Sequence, residues 1–406
     1  MGQELWTDAF LTASRQVGDD RADEAIRRIF AAGDVRELQD FMGRLVLNNE
    51  LPADLPHELR AFLDETEDLP PWHKPELVRQ AEILFNIHGL VSLVSLVLAS
   101  LPECYTMKTG VQILALTGQL GEHTNRRLHQ TAVMVLAVMG KDGLGPSGQG
   151  IRQAQKVRLI HAAIRFRILS AIGTAGFPSA AGSGIPRVIE GARRSVVDVI
   201  EGDGFNWNNA RDGYPINQED LAFTLLTFGY VIPRAMITLG VPLSDDDVDA
   251  FLHAWNCVGY VMGVDERLMA HTVKDAAVLF DRIKARQGGP SDAGRELTDA
   301  LLSVVERRVL KFRPVRRLAP ALLRMLVGED TARMLGVSSR HYRLVWMLHG
   351  AISAVISEAN RIGETCFHIH PLKGIATRIG RHLVETVTES TYGKKNVQVQ
   401  IPPEWL

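Results

Sequence analysis

Gln149 to Ile172 reads QGIRQAQKVRLIHAAIRFRILSAI. Ala154, Val157, His161, Ile164 and Ile168 follow one another at steps of three or four, so they share one face of a helix. A histidine thus stands in an apolar stripe. Arg158, three residues before it, and Arg165, four after it, project from the same side. From Gly143 to Ile189 the chain carries Arg152, Lys156, Arg158, Arg165, Arg167 and Arg187 and no acid. Those turned inward need an anion, because unpaired buried charge is costly. A histidine so placed is either a satisfied core residue or a ligand. As a ligand, its neutral imidazole suits iron, and guanidinium forks on either side suit carboxylates, which together describe a haem site.

The helical period extends outward from this stretch. Gly121 to Met139 reads GEHTNRRLHQTAVMVLAVM, where Arg127 and Thr131 are i, i+4 neighbours on a face shared with Met134 and Val138. His123 lies one turn further back. Between the two helices Gly143, Gly145 and Gly148 spell GxGxxG. A dinucleotide site needs a strand before that motif and an acid about 20 residues after it. Here a helical pattern precedes it and no acid occurs between Asp142 and Glu190, so it reads as a turn. Ile83 to Pro102 contains no charged residue but holds Asn86, His88, Gly89 and three serines. It reads as a buried helix pair broken near Gly89, not a membrane span. Asn217 and Ser244, each followed three residues later by an Asp, are N-cap signals.

Short amphipathic helices are expected from Glu4 to about Asp68, joined through ETEDLPPWHKP (Glu65 to Pro75) to the apolar centre. Gly173 to Pro186 and Gly288 to Gly294 read as loops, with helices from there to about Glu389. Val397 to Ile401 is the main alternating run. The fold class is all-α, one large helical domain. Its expected parts are an N-terminal helical cap over 1–75, a core over 76–287 and a C-terminal helical extension over 288–406.

Composition narrows the function classes. Lys plus Arg number 45 and Asp plus Glu 47, a net charge of −2, which excludes a basic nucleic-acid binder as a whole-chain description. Hydrophobic residues at 46% and charged ones at 23% suit a globular chain able to enclose a ligand. Cys104, Cys257 and Cys366 are far apart, so neither a zinc site nor a disulfide framework is expected. MGQELWTDAF has no signal-peptide pattern, which fits a cytoplasmic protein or a secreted one already relieved of its leader. There is no ExxH pair for a di-iron bundle, no HExxH for a zinc protease and no GxSxG elbow.

Four segments carry a resemblance: TGQLGEHTNRRLHQTAVMVLAVM, KVRLIHAAIR, DGYPINQEDLAFTLLTF and AWNCVGYVMGVDERL, in that order. Together they resemble the DUF2236 family, the group of latex clearing proteins (rubber oxygenases) and mycophenolic-acid-type oxygenases, over roughly Gly89 to Met269. The resemblance implies a globin-like helical core around haem b, with His161 as the axial ligand of the iron. It implies that Arg158 and Arg165 hold propionates and that Arg127 and Thr131 lie near the haem. It further implies O2 as co-substrate and an apolar unsaturated, isoprenoid-like small molecule or polymer as substrate, with oxidative C=C cleavage as in rubber oxygenases. Two positions depart from the rubber-cleaving members. Gln130 stands where they carry a lysine before the motif Thr, and Val111 stands near where they carry an acid, Glu122 being the nearest acid downstream. Gln130, His123 and His129 are then the polar groups available on the distal side. Gln130 donates a hydrogen bond but is a poor general base. A non-catalytic globin-like haem protein that binds O2 or another diatomic gas fits those losses equally well.

Overall fold

The computed structural model describes residues 5–119, 123–174, 206–306, 319–338, 340 and 347, with the side chains of 117–129 outside that description. The chain is helical, and among the described residues there is no strand, only an isolated bridge between Met107 and Gly288. The Val397 to Ile401 run, most of Gly173 to Pro186 and the chain beyond Met347 lie outside the described residues.

Four short helices open the fold: α1 (Asp8–Ser14), α2 (Asp20–Ala32), α3 (Val35–Gly43) and α4 (His57–Glu65). Thr7 and Asp19 cap α1 and α2 through their side chains, and Gly33, at φ 83°, ends α2 in the left-handed region that favours glycine. Next come α5 (Pro75–Ile87) and α6 (Gly89–Tyr105), bent by 94° at His88, as the glycine there implied. Pro102 does not end α6. A π-turn at Leu96–Ser100 precedes it, and the widened turn accommodates the missing N–H and the ring. Then follow α7 (Gly110–Gln119), α8 (His123–Met139) and α9 (Gly150–Ala171). The helix α10 (Gln218–Thr238) repeats the device, with a π-turn at Thr227–Val231 ahead of Pro233. Then come α11 (Asp245–Val261), α12 (Val273–Gln287), α13 (Asp292–Val304), α14 (Ala319–Val327) and α15 (Glu329–Met334).

Both expected N-caps form. Ser244 and Asp247 make a full capping box, whereas Asp220 turns its carboxylate to the Asn217 amide (2.9 Å) instead of the cap N–H. α10 is, at 21 residues, long and apolar enough to cross a membrane, and most of it is packed inside the protein.

Two apolar cores meet along α9. The larger gathers α5, α6, α8, α10, α11 and α12 around residues such as Phe85, Val135, Phe251 and Phe280. The smaller joins α2, α3 and α4 to the other side of α9 through Ile26, Phe41, Leu63, Leu159 and Phe166. The glycine motif is indeed a turn between helices, and two polar side chains hold it. Glu82 accepts from the backbone N–H groups of Asp142 (3.1 Å) and Gly143 (3.0 Å). Asn48 donates to the Gly143 and Gly145 carbonyls and accepts from Ile151 and Arg152 N–H, so it caps α9 from a distant part of the chain.

Candidate functional site

A cavity of about 290 Å3 lies between α6, α7, α8, α9, α10 and α11. Its size is at the lower end of small-molecule sites, roughly 300–1,000 Å3. Leu101, Met134, Ile164, Leu221, Phe228 and Trp255 are among its mostly apolar walls. The expected stripe of α9 faces it through Val157, His161 and Ile164, while Ala154 and Ile168 enter the larger and the smaller core respectively. The sparsely charged α6 and α7 supply walls as their composition implied.

His161 is half-buried, its exposed part facing this space, and no hydrogen bond engages its ring among the described residues. Burial, aided by the positive charge of Arg165, pushes its pKa down to about 3, so the ring is a neutral imidazole at ordinary pH. Gln130 and Thr131, successive on α8, line the same cavity. The structure thus brings three of the expected site residues together. Arg127, His123 and His129 lie on α8, where their side chains are outside the described set.

Arg158 and Arg165 do not line the cavity among its described walls. Arg158 makes a two-toothed pair with Asp19 (2.6 and 2.9 Å) and donates to the Val261 carbonyl. Arg165 donates to Asp23 (2.7 Å) and to the Ile216 carbonyl (3.3 Å), and its Nη2 is buried with no hydrogen-bond partner among the described residues. The anionic compensation expected for these basic residues is present, and it comes from the start of α2. Arg152 follows suit through Glu67 at 2.8 Å.

One group was missed from the sequence. Asp220 of α10 lines the cavity beside Gly110 and Thr224, the one carboxylate to do so among the described residues. Its Oδ2 accepts from Asn217, and Arg15 stands 3.6 Å from Oδ1. Burial raises the carboxyl to about 6, with Arg15 opposing the rise and Glu219 adding to it, so at neutral pH it is an acceptor only. The signal was present as an acid in the first turn of an otherwise apolar helix, but it was read only as a capping partner. Ile216, which also lines the cavity, sits at φ 53°, a strained conformation for a β-branched residue.

The chain is thus an all-helical protein whose helices enclose a ligand-sized apolar cavity with a neutral histidine, an amide and a carboxylate on its wall. The chain belongs to the family described as ER-bound oxygenase mpaB/B'/Rubber oxygenase, catalytic domain, whose profile matches residues 90–355. A rubber oxygenase of Streptomyces sp. (strain K30) is 23% identical over 339 residues, spanning 80% of this chain and 72% of that protein. A solved structure of latex clearing protein in its closed state superposes with a TM-score of 0.70 at 19% identity, over 95% of each chain. The resemblance read from the sequence therefore holds, the helical fold is that of a known relative, and these relatives support an oxygenase of this family.

Proposed function

We propose that the chain is a haem b-dependent oxygenase that uses O2 to attack an apolar, unsaturated, isoprenoid-like substrate in this cavity. The carrying observation is His161: a neutral imidazole with no hydrogen bond to its ring among the described residues, turned into an apolar space. A core histidine would have a partner; a neutral ring left open in this way suits a metal. The donor set fits the group. His161 would hold the iron, and the Nη2 of Arg165, buried without a hydrogen-bond partner among the described residues but behind the described cavity walls, would serve a propionate only where the bound group extends to it. Arg158, fully committed to Asp19 and Val261, would instead fix the rotation of α9 that aims His161.

Haem, when bound, supplies the activation of O2. The protein's own contribution is orientation and dryness. Met134, Ile164 and Phe228 exclude water and take up a hydrocarbon chain. Gln130 offers an amide where the rubber-cleaving relatives carry a lysine, and Val111 stands near where they carry an acid, which favours oxygen insertion or dioxygenation over steps needing a base there.

Replacing His161 with Ala should leave the chain folded and abolish stable haem incorporation, read as loss of the Soret band. A full, unshifted band in the variant overturns the ligand assignment. Turnover is tested with heavy-oxygen-labelled O2 and isoprenoid substrates. Label in aldehyde, ketone or alcohol products supports the oxygenase, and reversible O2 binding with no label in any product overturns it in favour of a gas-binding protein.

A further inference from the structure

The cavity is polar at one place that the proposed oxygenation does not use. Asp220 places a carboxylate on its wall, and Thr224, one turn further along α10, both lines the cavity and is exposed. Of the two carboxylate oxygens, Oδ2 is taken by the Asn217 amide, while Oδ1 accepts no hydrogen bond among the described residues. The guanidinium nearest to Oδ1, that of Arg15, is 3.6 Å away and is shared with Glu219, at 3.4 Å. Glu219 in turn engages Arg286 at 3.0 Å. Asp220, on the cavity wall, thus keeps its place through Asn217 and Arg15 while Oδ1 retains acceptor capacity. A carboxylate in that state recognises a donor and repels an anion. A pure hydrocarbon would desolvate it with nothing in return.

The geometry points to a substrate with an apolar unsaturated body and a hydrogen-bond-donating end, an isoprenoid alcohol, whose hydroxyl is held by Asp220 Oδ1. This rests on the oxygenase reading of the same cavity and adds a substrate class to it. Asp220 is here a specificity-determining residue. It orients the chain by its polar end, with the unsaturated body directed inward among the apolar walls.

The test is equilibrium binding, independent of turnover. Geraniol, myrcene and geranic acid share a ten-carbon isoprenoid body and differ in ending as an alcohol, a hydrocarbon and a carboxylate. Their dissociation constants for the full-length protein as purified with its cofactor are measured by titration calorimetry at pH 7.5. Geraniol should bind about tenfold more tightly than myrcene, the worth of one hydrogen bond to a charged group. Geranic acid should bind most weakly. In Asp220→Asn the preference for geraniol should shrink to within about threefold, and geranic acid should gain about tenfold as the repulsion disappears. Geraniol and myrcene binding within twofold of each other in the unmodified protein overturns the assignment and leaves the oxygenase reading standing. That comparison needs no variant, so it decides even if Asp220→Asn fails to fold. If none of the three ligands binds, the assignment falls as well. The haem reading is judged separately, by the His161→Ala spectrum.

Discussion

Lys156 shows how this protein houses a basic side chain where its sequence provides no acid. Its ammonium is fully buried, donates to the carbonyls of Met42 (3.2 Å) and Arg44 at the end of α3, and lies 5.1 Å from the Phe41 ring centre. The six basic residues between Gly143 and Ile189 implied anions, and for this one backbone carbonyls serve instead. Carbonyl partners are invisible to a reading by side-chain type. Burial pushes its pKa down from 10.5 to about 7. The sign follows: between those values the unfolded chain binds more protons than the native one, so stability rises with pH across that window and is lost as pH falls toward 7. The slope approaches about 1.4 kcal/mol per pH unit in mid-window. Urea unfolding of the apoprotein between pH 7.5 and 9.5 should show this rise, and Lys156→Met should flatten it. An equal slope in both proteins would show that the ammonium is not desolvated.

The helices themselves were legible wherever their determinants are local. Asn217 and Ser244 cap the helices they immediately precede, and the spacing around His161 gave the face that meets the cavity. Determinants that arrive from a distance were not legible. Gln149, at the N-cap of α9, makes no side-chain cap, and the task falls to Asn48. The two π-turns were missed because Pro102 closed the uncharged run and no motif marked Pro233, whereas each proline follows a widened turn that lets the helix continue. These turns pack on each other; just beyond the first, Cys104 contacts Thr227 of the second at 3.2 Å, and Leu101, Cys104 and Phe228 line that side of the cavity. Asn48 gives the clearest test at this scale. Asn48→Ala removes four hydrogen bonds from buried backbone groups and should cost about 2–3 kcal/mol in urea unfolding. Asn48→Asp keeps the acceptor but sets a carboxylate oxygen against the Gly143 and Gly145 carbonyls, so it should cost at least as much. A loss below about 0.5 kcal/mol in both would mean that water replaces the side chain without penalty.

At the scale of the molecule, α9 is the shared wall of two cores, and its basic residues join them. The absence of acids around it predicted an anion; which anion could not be read, because Asp19 and Asp23 are more than a hundred residues away and look like ordinary helix-start acids. Asp19 does cap α2, and it also holds Arg158, which in turn donates to Val261 at the end of α11. Three helices thus meet at one guanidinium. Gly263 leaves room for it: a Cβ there would stand 2.7 Å from Arg158 Cζ, at a backbone φ of 77°. The pair is almost wholly buried, with side-chain exposures of 9% and 5%. Breaking it from one side strands a charge, so Arg158→Met and Asp19→Leu should each cost about 3–5 kcal/mol. Replacing both with apolar residues of similar size removes the charge altogether, and Arg158→Met with Asp19→Leu should recover most of the loss apart from the α2 cap. A double-mutant cycle on chemical unfolding then gives a coupling of about 2 kcal/mol or more. Since α9 carries His161, the single variants should also loosen the cavity, read under the proposed haem assignment as weaker haem retention, while the double variant regains it. Additive losses, with no recovery in the double variant, would show that the N-terminal helices and the cavity wall are not joined through this pair.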